Sequence, residues 1–242
     1  MKNSVEVINL SKSYGKKIAV RNINFNIKEN EILGLLGPNG CGKTTTIGML
    51  LGLLKPSNGQ ISINGMKIEK NRIKILQKIN FISPYIELPK KLTVKQNLLV
   101  YGKLYDVKNL KDRIEYLATK LRLSELLNRI TGELSSGQKN RVSLAKALIN
   151  DPGVLFLDEP TASLDPEVGD FVRTFLEDYK KEKKLSILLA SHNMNEVTRL
   201  CSSILMMKNG VIIDQGKPLE LIAKHGRKNL EEVFLKLTKY EN

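Results

Sequence analysis

Between Ile23 and Ile27 apolar and polar residues alternate (Ile-Asn-Phe-Asn-Ile), the two-residue period of a half-buried strand. Upstream, Val5 to Leu10 and Ile18 to Val20 read as strands on either side of a polar turn, Ser11 to Lys17. Glu31 to Leu36 is a short buried strand that runs into a glycine-rich loop, and Thr44 to Leu54 continues as an apolar helix. Gln60 to Ile63, followed by Asn64-Gly65, predicts a strand and turn. From about Val94 to Asn150 the period becomes helical, with Leu98, Leu99, Tyr101 and Leu104, then Ile114, Leu117 and Leu121, at spacings of three and four. This block reads as a helical insertion between two halves of a sheet. Strands and helices then alternate: Val154 to Leu157, Pro166 to Lys181, Ser186 to Ala190 and Met194 to Cys201. Ile204 to Met207 and Val211 to Asp214 form a hairpin across Asn209-Gly210, and Leu219 to Tyr240 suggests two short helices. Such alternation implies an α/β protein with a mostly parallel sheet covered by helices.

Composition narrows the class. A chain of 242 residues with 41% hydrophobic residues can bury a sizeable core. The longest strongly apolar run, Ile47 to Leu54, falls far short of the roughly 20 residues a membrane span needs. The opening residues, MKNSVEVINL, lack the apolar core of a signal peptide, so a soluble intracellular protein is expected. Two cysteines, Cys41 and Cys201, are too few for a disulfide framework. The formal charge of +14 favours polyanionic partners. The lysines are scattered, however (Lys16, Lys17, Lys67, Lys70, Lys90, Lys91, Lys180, Lys181, Lys183, Lys184), and no aromatics interleave with them as a single-strand binding surface would require. Charge therefore does not decide function.

One motif does. Gly37-Pro38-Asn39-Gly40-Cys41-Gly42-Lys43-Thr44, with Thr45 behind it, fits G-x-x-x-x-G-K-[ST]. Glycines let the backbone curl so that successive N–H groups point at phosphate oxygens, and the following helix presents its positive end to the same anion. Lys43 places an ammonium on the terminal phosphates and the Thr44 hydroxyl can ligate Mg²⁺. An apolar strand precedes the loop and a helix follows, as the motif demands. A second buried strand, Val154 to Leu157, ends in Asp158 and Glu159. Alone, such a pair is as readily a solvated strand end. Beside a phosphate loop, Asp158 suits Mg²⁺, directly or through water, and Glu159 could polarise a water attacking the γ-phosphate.

Leu134-Ser135-Ser136-Gly137-Gln138, upstream of Asp158, resembles the LSGGQ signature of ATP-binding cassette (ABC) ATPases. Ser163-Leu164-Asp165 looks like that family's D-loop, Ser191-His192 like its switch histidine, and Tyr14 sits where the family places an aromatic that stacks on adenine. The likeness covers nearly the whole chain, so 1–242 is expected to be a single nucleotide-binding domain. It implies a P-loop NTPase core, an antiparallel β subdomain and a helical subdomain at about 84–150. It also implies Mg-dependent hydrolysis of ATP by a head-to-tail dimer of two ATP-binding subunits, identical or not. Ser135, Ser136, Gly137 and Gln138, with Asp165, would reach nucleotide across that dimer. Glu159 would be the general base, and His192 would hold the γ-phosphate and attacking water. The implied setting is a transport motor, cytoplasmic and peripheral on the inner face of the membrane, bound to separate transmembrane permease subunits. No nucleic-acid partner is expected. Ser191-His192-Asn193-Met194 and Met207-Lys208-Asn209-Gly210-Val211 are similar to motors of exporter-type systems.

The pattern breaks in three places. Counting back from Leu92-Thr93-Val94, Pro84 stands where the family carries its Q-loop glutamine, with Gln77 and Gln96 displaced; water or another nearby group is expected to complete the metal shell. Ser136 replaces a signature glycine. Cys41 lies at a helix N-terminus, where a thiolate is favoured, so alkylation blocked by MgATP is expected, unless the residue is simply inert. Two other functions stay open. A non-transport cassette ATPase acting on nucleic acid or ribosomes is opposed by the lack of a coiled-coil insertion and of a second cassette. A degenerate subunit that binds without hydrolysing is opposed by Glu159 and His192.

Overall fold

Two sheets divide the strands unequally. In the computed structural model, which describes residues 2–84, 86–162 and 164–239, β1 (Asn3–Tyr14) and β2 (Lys17–Lys28) form a long antiparallel pair. β4 (Asn58–Ile63) and β5 (Met66–Lys67) extend it to a four-stranded sheet of order β2-β1-β4-β5. The polar turn expected over Ser11 to Lys17 shrinks to Gly15-Lys16, because Lys12, Ser13 and Tyr14 pair with Val20, Ile18 and Lys17. Asn64 and Gly65, both at positive φ (50° and 75°), make the tight β4–β5 turn.

The second sheet has the order β10-β9-β3-β8-β7-β6. Its parallel strands are β3 (Ile32–Leu36), β6 (Ile79–Ile82), β7 (Val154–Asp158), β8 (Ser186–Ser191) and β9 (Ser203–Lys208). β10 (Val211–Gly216) closes one edge as an antiparallel hairpin partner through Asn209 and Gly210 at φ 48° and 81°. Residues pointing to opposite faces of this sheet enter two different cores. Val154, Phe156, Leu188 and Ala190 pack towards the four-stranded sheet and α1 (Lys43–Leu50). Leu155, Leu157, Ile187 and Leu189 pack towards the helices. Phe156 is fully buried, and its truncation to alanine would cost about 3–5 kcal/mol.

The helical block leaves the end of β6 and returns at the start of β7, its two anchoring strands being neighbours in register (Ile79 opposite Val154). It holds α3 (Val94–Leu104), α4 (Leu110–Lys120) and α5 (Ser136–Leu148). Reciprocal capping boxes start α3 (Thr93 with Gln96) and α5 (Ser135 with Gln138). The α5 helix begins within the signature-like motif, at Ser136. α6 (Pro166–Lys183) is capped by Asp165 and ends on Lys184 in the left-handed region. α7 (Met194–Leu200), α8 (Pro218–His225) and α9 (Leu230–Lys239) follow; the expected helical end at Tyr240 lies outside the described residues. Two expectations need correction. The helix after the phosphate loop stops at Leu50 rather than Leu54, because Gly52 turns left-handed and Leu53 and Leu54 both donate back to the Gly48 carbonyl. A helix not foreseen, α2 (Ile68–Leu76), packs beside β4 and β5.

Candidate nucleotide site

The phosphate loop connects the C-terminal end of β3 to α1, at the edge where β7 and β8 also end. Its path depends on glycine. Gly40 and Gly42 have φ of 77° and 113°. A Cβ on Gly42 would lie 2.7 Å from the Ala19 carbonyl oxygen, and one on Gly37 would collide with the Met207 carbonyl oxygen. These contacts seat the loop on β2 and β9, while Asn39 and Gly40 stay exposed. Lys43 is buried; its ammonium donates to the Gly37 and Pro38 carbonyls (2.7 and 3.2 Å) and lies 3.7 Å from Oε1 of Glu159.

Cys41 does not match the expectation of a reactive thiolate. It is 3% exposed, and its Sγ occupies the space left open by the missing side chain of Gly37. Burial pushes the thiol up, against the opposing pull of Lys43. Its N–H already donates to the Pro38 carbonyl and its carbonyl accepts from Gly210. The sulfur is a packing element.

Across the loop, Thr44 Oγ1 donates to Oδ2 of Asp158 over 3.0 Å. Burial raises the Asp158 carboxyl and the neighbouring Glu159 charge adds to it, offset by the Thr44 hydrogen bond and by Lys43. Glu159 leaves the strand at φ 51°, in the left-handed region that few non-glycine residues adopt. Its N–H donates to the Ala190 carbonyl (2.8 Å), and Oε1 reaches within 2.8 Å of Nδ1 of His192. Despite that proximity, buried Oε1 accepts no hydrogen bond of ordinary geometry. His192 is 58% exposed and directly follows β8.

Behind Glu159 and His192 lies a residue that no sequence motif pointed to. Glu196, buried on α7, accepts from Thr161 Oγ1 (2.7 Å) and from Ser191 Oγ (2.8 Å). Thr161 lies two residues beyond Glu159, and Ser191 immediately precedes His192.

An open cleft of about 880 Å³ runs from Tyr14 to Asp158 and Glu159 along Gly40, Gly42, Lys43, Thr44 and Thr45. Tyr14 stands 49% exposed at its rim, with the Lys12 ammonium 5.0 Å from its ring centre. Lys16, Lys17 and Arg21 line the same cleft. Only the β1–β2 hairpin brings these cations to the loop. Positive lining, a backbone cradle and an adjacent aromatic face suit a nucleoside triphosphate. Among the described residues no group of three or more His, Cys, Asp or Glu could enclose a metal. Thr44 Oγ1 and Asp158 Oδ2, 3.0 Å apart, are hard oxygen donors that would suit Mg²⁺, which takes few protein ligands and fills its shell from phosphates and water.

Other expected site residues lie elsewhere. Ser135 and Gln138 spend their side chains on capping α5, Gly137 is buried against Val168, and Asp165 accepts from the Val168 N–H at 2.9 Å. None of them, nor Ser136, lines the nucleotide cleft. Ser136 and Pro84 instead line a smaller cavity of about 250 Å³ that reaches Glu159 from the other side. Gln77 caps the end of α2, and Gln96 accepts from the Thr93 N–H. Neither lines the nucleotide cleft. Ser163 of the D-loop and Tyr85 lie outside the described residues.

A phosphate loop facing a strand-borne Asp-Glu pair on a parallel sheet defines an α/β P-loop ATPase. The model of the ABC transporter family matches residues 20–162, and the chain belongs to that family as an ATP-binding subunit. It is 36% identical over 220 residues to the ABC transporter ATP-binding protein NatA of Bacillus subtilis (strain 168), covering 90% of this chain and 89% of NatA. It is 39% identical over 222 residues to the Nod factor export ATP-binding protein I of Rhizobium johnstonii, covering 90% of this chain and 71% of that protein. Among solved structures, the dimeric post-hydrolysis state of the ATP-binding cassette MJ0796, bound to ADP and Pi, is similar with a TM-score of 0.80 and 27% identity. The match covers 88% of this chain and 98% of that one. The P-loop fold and the ATP-hydrolysing transport function expected from sequence both hold, and action on nucleic acid or ribosomes is not favoured. Among the described residues no helix is long and apolar enough to cross a membrane.

Proposed function

We propose that this subunit hydrolyses MgATP in a head-to-tail dimer with a second cassette, docked at the inner face of the membrane on separate transmembrane permease subunits. The observation that carries the proposal is the unsatisfied Oε1 of Glu159, held between Lys43 and His192 opposite the Thr44–Asp158 pair. The glycine loop and Lys43 bind the β- and γ-phosphates, and Tyr14 stacks on adenine. Lys43 exchanges its two loop carbonyls for phosphate oxygens. Thr44 and Asp158 hold Mg²⁺, which when bound neutralises charge developing on the transferred phosphoryl group. The Glu159 carboxylate orients the attacking water and accepts its proton, while exposed His192 holds the γ-phosphate.

The signature residues 135–138 and Asp165 cap the nucleotide of the opposite subunit. Their placement outside the cleft of their own chain supports this division, as does the dimeric state of the ADP-bound cassette. The Nod factor relative, an export protein by name, supports the outward direction of transport.

The test is Glu159→Gln. It should leave ATP affinity within about threefold, lower turnover at least about a hundredfold and accumulate an ATP-dependent dimer visible by size exclusion. Undiminished turnover in this variant would refute the role given to Glu159.

A further inference from the structure

β7 and β8 are hydrogen-bonded only as far as Asp158 opposite Ala190, with one further bond from the Glu159 N–H to the Ala190 carbonyl. Beyond that point both segments leave the ladder: Glu159 turns left-handed and His192 enters the turn before α7. The two side chains assigned to hydrolysis thus sit on the first residues beyond β7 and β8. Beside the direct approach of Glu159 to His192, the Glu196 carboxylate joins these segments by taking one hydroxyl from each: Thr161 on Oε1 and Ser191 on Oε2.

The polarity of this network is determined. Ser191 Oγ accepts the Asn193 N–H at 3.0 Å, so its single proton is directed at Glu196. Thr161 likewise directs its proton at the carboxylate. The network is not needed to cap α7. Asn193 Oδ1 already accepts from the Asn195 and Glu196 N–H groups, which is the capping arrangement. A carboxylate only 2% exposed carries a desolvation cost that a mere spacer would not require.

We propose that Glu196 is a positioning residue for ATP hydrolysis: by binding Thr161 and Ser191 it holds Glu159 and His192 at the separation seen here. This rests on the roles given above to Glu159 and His192.

Steady-state ATPase assays of the full chain test this. Glu196→Ala should lower kcat at least about twentyfold and leave KM for ATP within about twofold, because misplacing a reacting group by about 1 Å removes rate without removing binding. Glu196→Gln, which keeps one acceptor, should recover part of that loss. In a His192→Ala background, Glu196→Ala should add less than about a threefold further loss, since residues acting through one another are not additive. Wild-type kcat in folded Glu196→Ala, or losses that multiply in the double variant, would overturn the proposal. Should Glu196→Ala not fold, the isosteric Thr161→Val carries the test: a fall in kcat of about threefold or more at unchanged KM supports the clamp, and an unchanged kcat sinks it. Glu159→Gln run in parallel separates the two ideas. Full turnover there defeats the assignment of Glu159, whereas an inactive Glu159→Gln beside a normal Glu196→Ala defeats the clamp alone.

Discussion

Thr44 Oγ1 donates to Oδ2 of Asp158 across 3.0 Å, so the first turn of α1 and the last residue of β7 meet through one hydroxyl and one carboxylate. Both are hard oxygens, and in the mechanism proposed above they would form the protein's share of a magnesium shell. Thr44→Val keeps the shape and removes the ligand. It should raise the magnesium concentration for half-maximal ATPase by about tenfold or more, with a smaller change in metal-free nucleotide affinity. Magnesium titrations at saturating ATP check this, and an unchanged midpoint would exclude Thr44 from the shell.

Cys41 is expected to be unreactive. Its sulfur is enclosed and its thiol pushed up by burial, so little thiolate forms near neutral pH. Iodoacetamide at pH 8 should modify it at least about tenfold more slowly than a free thiol such as glutathione, at the same rate with and without MgATP. Mass spectrometry of the loop peptide reads the outcome; rapid, nucleotide-protected labelling would contradict the buried placement.

Restoring glutamine at position 84 should matter little. Pro84 sits in the cavity beside Ser136 and Glu159, outside the cleft lined by Thr44 and Asp158. Pro84→Gln should keep ATP affinity within about twofold and change turnover by less than about fivefold. A collapse of nucleotide binding, measured by titration of a fluorescent ATP analogue, would mean that the proline itself shapes the site.

Lys146 gives the protein a pH dependence on its alkaline side. Its ammonium is buried on α5, donating to the Phe81 carbonyl at 3.1 Å and lying 5.1 Å from the Phe81 ring centre. Desolvation pushes its pKa down to about 8. The unfolded chain, with an ordinary lysine near about 10.4, therefore binds more protons between these two values, and this residue's contribution to stability rises with pH across that window. Relative to Lys146→Met, wild type should gain up to about 2–3 kcal/mol from pH 8 to pH 10 in urea denaturation. A pH-independent difference would show the lysine to be hydrated.

Much of this site was legible because its chemistry is carried by local sequence. The phosphate loop is contiguous, and the Asn209-Gly210 turn announces its own hairpin. Alternation at Ile23 to Ile27 marks a strand, although the full β2 is more than twice that length. What escaped notice depends on chain segments meeting. Lys16, Lys17 and Arg21 become a basic wall only after β1 folds on β2. Glu196 belongs to no motif, and its role depends on Thr161 and Ser191 meeting around it. Sequence leaves Cys41 open between a reactive thiolate and an inert residue, because its exposure is set by an absent side chain four residues away, at Gly37. α2 was hidden by Lys70, Arg72 and Lys74 and by Asn71, whose φ of −128° interrupts the helical path.

The left-handed turn at Glu159 also restricts what evolution can place there. Valine, isoleucine and threonine crowd their own carbonyl in that region, while glycine, asparagine and aspartate enter it with less strain. A lineage that gave up hydrolysis would drift first to those small or amide residues, its backbone vetoing most others long after chemistry had ceased to select.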